Sequence, residues 1–296
     1  MNRTTAVTAV LLVLAALTLT IHFGTTDIEF SRYNIEWTGT SGFFAALEST
    51  GAVGITSLSG LPGPRDALLL VIAPGSPYTP EEADALRAFL DDGNILVIAD
   101  ETGESGSLLE GLGSSIAIVP GNLSSIERAF PDPRAVIVTP RTEDPLLSGV
   151  ASLTLNHASA VSGGEILLAT TLFSWMDTNG NGRLDQDETL ASYGVLSREA
   201  IGNGTLYVLS DASLFSNGMQ RARLAGDNDL FLGNILAARP VVLVEQHRSL
   251  TAGAEGILAL VLVVKSTMVI KILLLILSMT IVWVVFSRRL GEWGRA

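Results

Sequence analysis

The chain has 296 residues, 48% of them hydrophobic, with no cysteine and a formal net charge of −12. That length suits one sizeable domain with segments to spare, and the missing cysteines exclude disulfides, thiolate nucleophiles and thiolate metal sites. Residues 24–255 hold 12 Arg, no Lys and 29 Asp plus Glu, a net −17; so acidic a surface repels nucleic acid and anionic lipid, and nucleic-acid binding is excluded.

In chain order, the first feature is an uncharged run from Thr4 to Phe23, preceded by Arg3. About 20 apolar residues suffice to cross a ~30 Å hydrocarbon core. The run is longer than the ~7–15 residues of a cleavable leader, and no small-x-small site follows. Residues 1–24 therefore read as an uncleaved transmembrane signal anchor.

Phe43, Phe44 and Leu47 predict a short amphipathic helix over 43–49, stopped at Gly51, and a strand over 52–56 follows. Ala67 to Ala73 is a continuous apolar run, as in a strand buried on both faces. Thr79 caps the next helix, with Pro80 at its first position and Glu81, Glu82 and Asp84 in its first turn. Asp92-Gly93 ends it, and Asn94 to Ala99 is the next buried strand. Strand, helix and strand with short turns make a βαβ unit, so the expected fold is an α/β domain with an open, mostly parallel, Rossmann-like sheet. Further strands are predicted at 115–119, 135–139, 165–170 and 205–210, and a last helix at 229–238.

Residues 241–266 read as a juxtamembrane approach, and 267–287 as a second transmembrane helix followed by a basic tail, 288–296. Arg3 before the first run and Arg288, Arg289 and Arg295 after the second place both ends in the cytoplasm. The expectation is a two-pass cell-membrane protein whose α/β domain, 25–240, is extracytoplasmic.

The sharpest motif is Asp177-Thr-Asn-Gly-Asn-Gly-Arg-Leu-Asp-Gln-Asp-Glu188, which fits a twelve-residue calcium loop at every defined position. Asp177, Asn179 and Asn181 offer side-chain oxygens at alternate positions, Arg183 its carbonyl, Asp185 a water-mediated contact, and Glu188 both carboxylate oxygens. Hard oxygen ligands favour Ca²⁺. The expected role is structural, with a dissociation constant on the order of 10⁻⁴–10⁻³ M; the competing reading is a polar turn with no metal.

Asp100, Glu101 and Asp211 follow strands whose carboxyl ends are where open sheets place ligands. Ser76, Ser210 and Ser213 lack a nucleophile elbow. A triad would have to use His157, because His22 and His247 lie near the two runs. Asn122 and Asn203 head glycosylation sequons and are possible glycan sites.

The segment from Thr38 to Gly51, the stretch Thr79 to Asp100, and Gly204 to Asp211 with Phe215-Ser216-Asn217 and Asn234 resemble the DUF4350 family, covering most of residues 38–238. The resemblance implies a membrane-anchored domain related to the class I glutamine-amidotransferase-like fold. Its genes often lie near MoxR-type ATPases and von Willebrand A-like proteins, which implies an archaeal or bacterial envelope assembly rather than a reaction. The amidotransferase nucleophile is a Cys, and this chain has none. The expected function is thus a non-catalytic, calcium-stabilised binding or scaffold module with envelope or membrane proteins as partners. The alternatives are a hydrolase using carboxylates at the sheet edge, or an accessory subunit of a transporter.

Overall fold

The computed structural model describes residues 26–280, apart from 59–60, 62–64, 120, 128, 222–225, 271 and 274–275, together with residues 10–11 and 14–15. It divides into two units, one spanning 28–252 and one made of 1–27 with 253–296.

The larger unit is built on an 11-stranded sheet. Its strands, in chain order, are β1 (Val53–Ile55), β2 (Ala67–Ile72), β3 (Ile95–Ala99), β4 (Ala117–Val119), β6 (Ala135–Pro140), β7 (Leu153–Asn156), β8 (Ala160–Ser162), β9 (Glu165–Thr170), β11 (Gly194–Ile201), β12 (Gly204–Leu209) and β13 (Val241–Glu245). The pair β5 (Asn122–Ser125) and β10 (Ser174–Asp177) forms a separate ribbon. The helices are α1 (Ser41–Ser49), α2 (Pro80–Asp91), α3 (Gly106–Gly111), α4 (Asn217–Arg221) and α5 (Asn228–Ala237).

The sheet order β1-β13-β2-β3-β12-β11-β9-β6-β7 divides the sheet into two halves. From β1 to β12 the four pairings are parallel, whereas the six pairings beyond β12 are antiparallel. The mostly parallel sheet expected above is therefore corrected to a mixed sheet with antiparallel pairing in the majority. The change of direction has a local cause. Ile201 pairs with Gly204, so only Gly202 and Asn203 turn the chain. Gly202 sits at φ +59, and a two-residue turn can join only antiparallel neighbours.

In the parallel half, side chains alternate between two cores. Leu68, Leu70 and Val97 pack with Phe43, Phe44 and Phe231 on one face. Leu69, Val71, Leu96 and Ile98 pack with Leu86, Phe89 and Leu108 on the other. Both faces are covered, which is why β2 and β3 are apolar at every position. α2 begins as its sequence requires: the Thr79 hydroxyl accepts from Glu82 N–H and the Glu82 carboxylate accepts from Thr79 N–H. Residues 241–245, read above as an approach segment, form β13 between β1 and β2.

The far edge strand, β7, is closed by side-chain mimicry of a neighbouring strand. Asn228 Oδ1 accepts from Thr154 N–H at 3.0 Å, and its Nδ2 donates to Thr154 O at 2.8 Å. Asn228→Ala strips both partners from a buried strand edge, with an expected cost of about 1–3 kcal/mol. Amide exchange at Thr154 should quicken in the variant; unchanged protection there would refute this role.

In the smaller unit, Glu255–Ser266 is a helix of 12 residues, α6, which ends where Thr267 turns extended at ψ 102. At about 1.5 Å per residue it spans only ~18 Å of the ~30 Å required. Among the described residues no helix is long and apolar enough to cross a membrane. The two-pass localisation and transmembrane elements expected above are corrected on that finding. Nearly all of the first run, 4–23, residues 271, 274–275 and 281–287 of the second, and the whole of the tail, 288–296, lie outside the described residues.

Candidate functional site

The parallel strands end together at one edge, and four carboxylates gather along it. Asp100 follows β3 directly, and its side chain is fully buried. It accepts from Thr102 N–H (2.8 Å), Thr102 Oγ1 (2.8 Å), Gly103 N–H (3.0 Å), Ser105 N–H (2.7 Å) and Ser105 Oγ (2.6 Å). The acid thus closes the turn into α3. Asp211 follows β12 and is also fully buried. Its Oδ2 accepts from Asn156 N–H at 2.8 Å, at the end of β7, and its Oδ1 from Ser213 N–H at 2.7 Å. Glu101 accepts from Ala212 N–H at 2.8 Å, while its carbonyl receives Ser159 Oγ at 2.7 Å.

Burial, then the nearby charge of Asp211, pushes the Glu101 carboxyl up to about 8. Burial pushes Asp211 up to about 6 against the pull of its hydrogen-bond donors. The acids after β3 and β12 stand close together, and two of them act as braces: Asp211 ties the end of β12 to the end of β7, and Glu101 ties the end of β3 to the residue 212–215 turn.

Sequence reasoning missed the fourth carboxylate, Glu245, because β13 was not recognised as a strand. It accepts from Arg248 N–H at 2.7 Å and from the Tyr78 hydroxyl at 3.3 Å. Burial, then the charge of Glu245, holds the Tyr78 hydroxyl well above its ordinary range, and burial raises Glu245 itself. Beside them Glu82 pairs with Arg248 and, at 2.8 Å, with His247 Nε2. Burial raises the Glu82 carboxyl, but the Arg248 hydrogen bond and the Thr79 N–H outweigh it, and the net direction is down. The available signal was the unbroken apolar run Val241 to Val244, ended by Glu245 and a polar, basic turn.

The hydroxyls and histidine are not assembled for nucleophilic catalysis. Ser210 Oγ donates to Ser159 O at 2.6 Å, and Ser213 Oγ donates to Asn156 O at 2.9 Å. Ser76 accepts from Arg248 Nη1 at 3.3 Å. His157 sits at φ 60 with Nε2 3.9 Å from Asp132 at the surface.

The Asp177–Glu188 loop leaves β10 as a tight turn. Asp177, buried, accepts from Asn181 N–H (3.1 Å) and Gly182 N–H (2.8 Å). Asn181 Oδ1 accepts from Arg183 N–H, and Glu188 accepts from Thr178 N–H and Asp185 N–H. Asn179 and Asn181 both turn their Nδ2 groups toward Asp185 Oδ2, at 2.8 and 2.7 Å. Those two hydrogen bonds hold Asp185 below the usual carboxylate range. Among the described residues no group of three or more His, Asp or Glu stands close enough together to hold a metal ion. The calcium-binding loop expected from the motif is corrected on that finding: its oxygens are turned to backbone and amide donors, and the loop is closed by its own hydrogen bonds. Of the sequon residues, Asn122 pairs with Asp177 in the β5–β10 ribbon, and Asn203 Nδ2 donates to Asp91 O at 2.9 Å.

These features define an α/β domain with a half-parallel, half-antiparallel sheet braced by buried acids along one edge. The family model for a domain of unknown function, DUF4350, matches residues 32–233, and the chain belongs to that family. A search of curated proteins found no match. Among solved structures, the chain is similar to the mmIFT52 N-terminal domain at 16% identity and a TM-score of 0.52, over 72% of this chain and 92% of that one. That likeness concerns the fold. Weaker likenesses are to β-galactosidases from Bacillus circulans sp. alkalophilus (14% identity, TM-score 0.37) and Halorubrum lacusprofundi (12%, 0.38). They cover 59% and 62% of this chain but only 22% and 23% of those enzymes.

Proposed function

We propose that this chain is a non-catalytic binding and scaffolding domain that works inside a larger protein assembly. The observation behind this reading is how the edge acids are used: Asp100, Glu101 and Asp211 all accept N–H groups of their own chain. Carboxylates engaged in that way act as struts between strands. A partner surface is suggested by three large apolar side chains on adjoining segments. Ile126 (48% exposed), Leu172 (70%) and Phe173 (53%) stand together where Ile126 N–H donates to Phe173 O. Such groups on a surface mark contact sites.

One observation favours a hydrolase instead: Glu101 at about 8 stands beside Asp211 at about 6, and carboxyls pushed apart in this way serve as acid and base in enzymes. A paired experiment separates the two readings. Crosslinking in intact cells should yield a recurrent neighbour with crosslinks near residues 126 and 172–173, and the purified chain should turn over neither chromogenic glycosides nor esters. Turnover that is lost in Glu101→Gln, with the fold intact, would overturn the scaffold reading.

A further inference from the structure

The opposite, amino-terminal end of the same strands carries a groove of about 520 Å³, within the ~300–1,000 Å³ range of small-molecule sites. Ile95 and Thr205 pair across β3 and β12, and Ala200 pairs with Thr205 across β11, so the three lie side by side on the floor. Leu146 forms one wall and Arg239, just beyond α5, the other.

The charges around this groove are matched except for one. Arg198 Nη1 donates to Asp144 at 2.6 Å and its Nη2 pairs with Glu165. Asp144 also receives the Tyr207 hydroxyl at 3.2 Å. The Glu199 carboxylate is engaged by the hydroxyls of Ser114 and Ser115 and by Ser115 N–H. Arg239 is the remainder. Its Nη1 donates to Ala238 O at 3.0 Å, its buried Nε–H meets no acceptor, and no carboxylate among the described residues pairs with it. Elsewhere Arg32 and Arg248 have an acid partner, whereas Arg87, Arg134 and Arg141 donate to carbonyl oxygens on neighbouring segments. A guanidinium is a planar fork of donors suited to a carboxylate.

We infer that this groove is a binding site for a small organic monoanion, whose carboxylate pairs with Arg239 while its body lies on the floor formed by Ile95 and Ala200. The paired acids Asp144 and Glu165 repel a second negative charge, which disfavours a phosphate monoester. The Thr205 hydroxyl remains to take a donor group on the ligand. The groove and the acidic edge lie at opposite ends of β3, so the inference holds whether that edge is a strut or a catalyst.

Calorimetric titration of the full chain tests this, with benzoate, lactate and N-acetylglycine as probes and benzamide as the neutral counterpart of benzoate. At least one monocarboxylate should bind saturably and benzamide should not. Arg239→Gln should weaken binding about tenfold or more, the loss of one charge-assisted contact, and Glu101→Gln should leave it unchanged. Ala200→Phe, which fills the floor and keeps the arginine, should also abolish binding and serves if Arg239→Gln does not fold. Three results overturn the inference: no saturable binding by any of the acids, equal binding of benzamide, or undiminished binding in a folded Arg239→Gln.

Discussion

Glu101→Gln should stabilise the protein at pH 9 by about 2–4 kcal/mol and leave it nearly unchanged at pH 5. The folded chain holds the Glu101 proton to about 8, against an ordinary value of 4.5. Because the folded pKa is raised, the folded state binds the proton more tightly than the unfolded one. The stability this confers is fully present below about 4.5 and is lost as pH rises through about 8. The ceiling is about 5 kcal/mol, and part of it belongs to repulsion shared with Asp211. Glutamine keeps an oxygen for Ala212 N–H and carries no charge at any pH, so the variant lacks this loss. Urea unfolding of both proteins from pH 5 to 9 measures the difference. If the two curves run parallel, Glu101 does not carry this buried proton.

Asp100→Ala should cost about 3–5 kcal/mol, with the urea midpoint falling and the slope unchanged. Five donors meet at this side chain, three of them backbone N–H groups at Thr102, Gly103 and Ser105. Removing the acceptor leaves those at Ser105 buried without a partner, at about 1–3 kcal/mol per group, while Thr102 and Gly103 recover part of the loss from water. Asp100→Asn should fall between the two proteins, because its amide brings donors toward donors. A cost under about 1 kcal/mol for Asp100→Ala would show that the turn does not depend on this acid.

These effects locate what the sequence made legible. β2 and β3 were readable because burial on both faces demands unbroken apolar runs, and α2 because Thr79, Pro80 and Glu82 spell its start in local terms. Strand direction was not readable in the same way. A βαβ unit at 67–99 argues for parallel neighbours, but β12 takes its direction from both β3 and the two-residue turn to β11, and only the folded sheet shows that both hold. β13 was obscured by the apolar stretch that follows it, so Glu245 and its pairing with Tyr78 went unseen. The acids after β3 and β12 were found by position, but their partners, Asn156 and Ala212, come from distant or unflagged backbone. The loop at 177–188 teaches the converse: a motif fixes which oxygens are present, whereas their orientation depends on donors that the motif itself supplies. The groove was invisible because Leu146, Ala200 and Arg239 share no sequence neighbourhood.

Amide exchange followed residue by residue at Asn156, Ala212 and Ser213 tests the strut role most directly, since each of these N–H groups donates to an edge carboxylate. The expected result is exchange only through global unfolding, at the rate of core amides in β3 and β12. Fast exchange at all three while those strands stay protected would mean the acids are free to face a substrate, and would contradict the account.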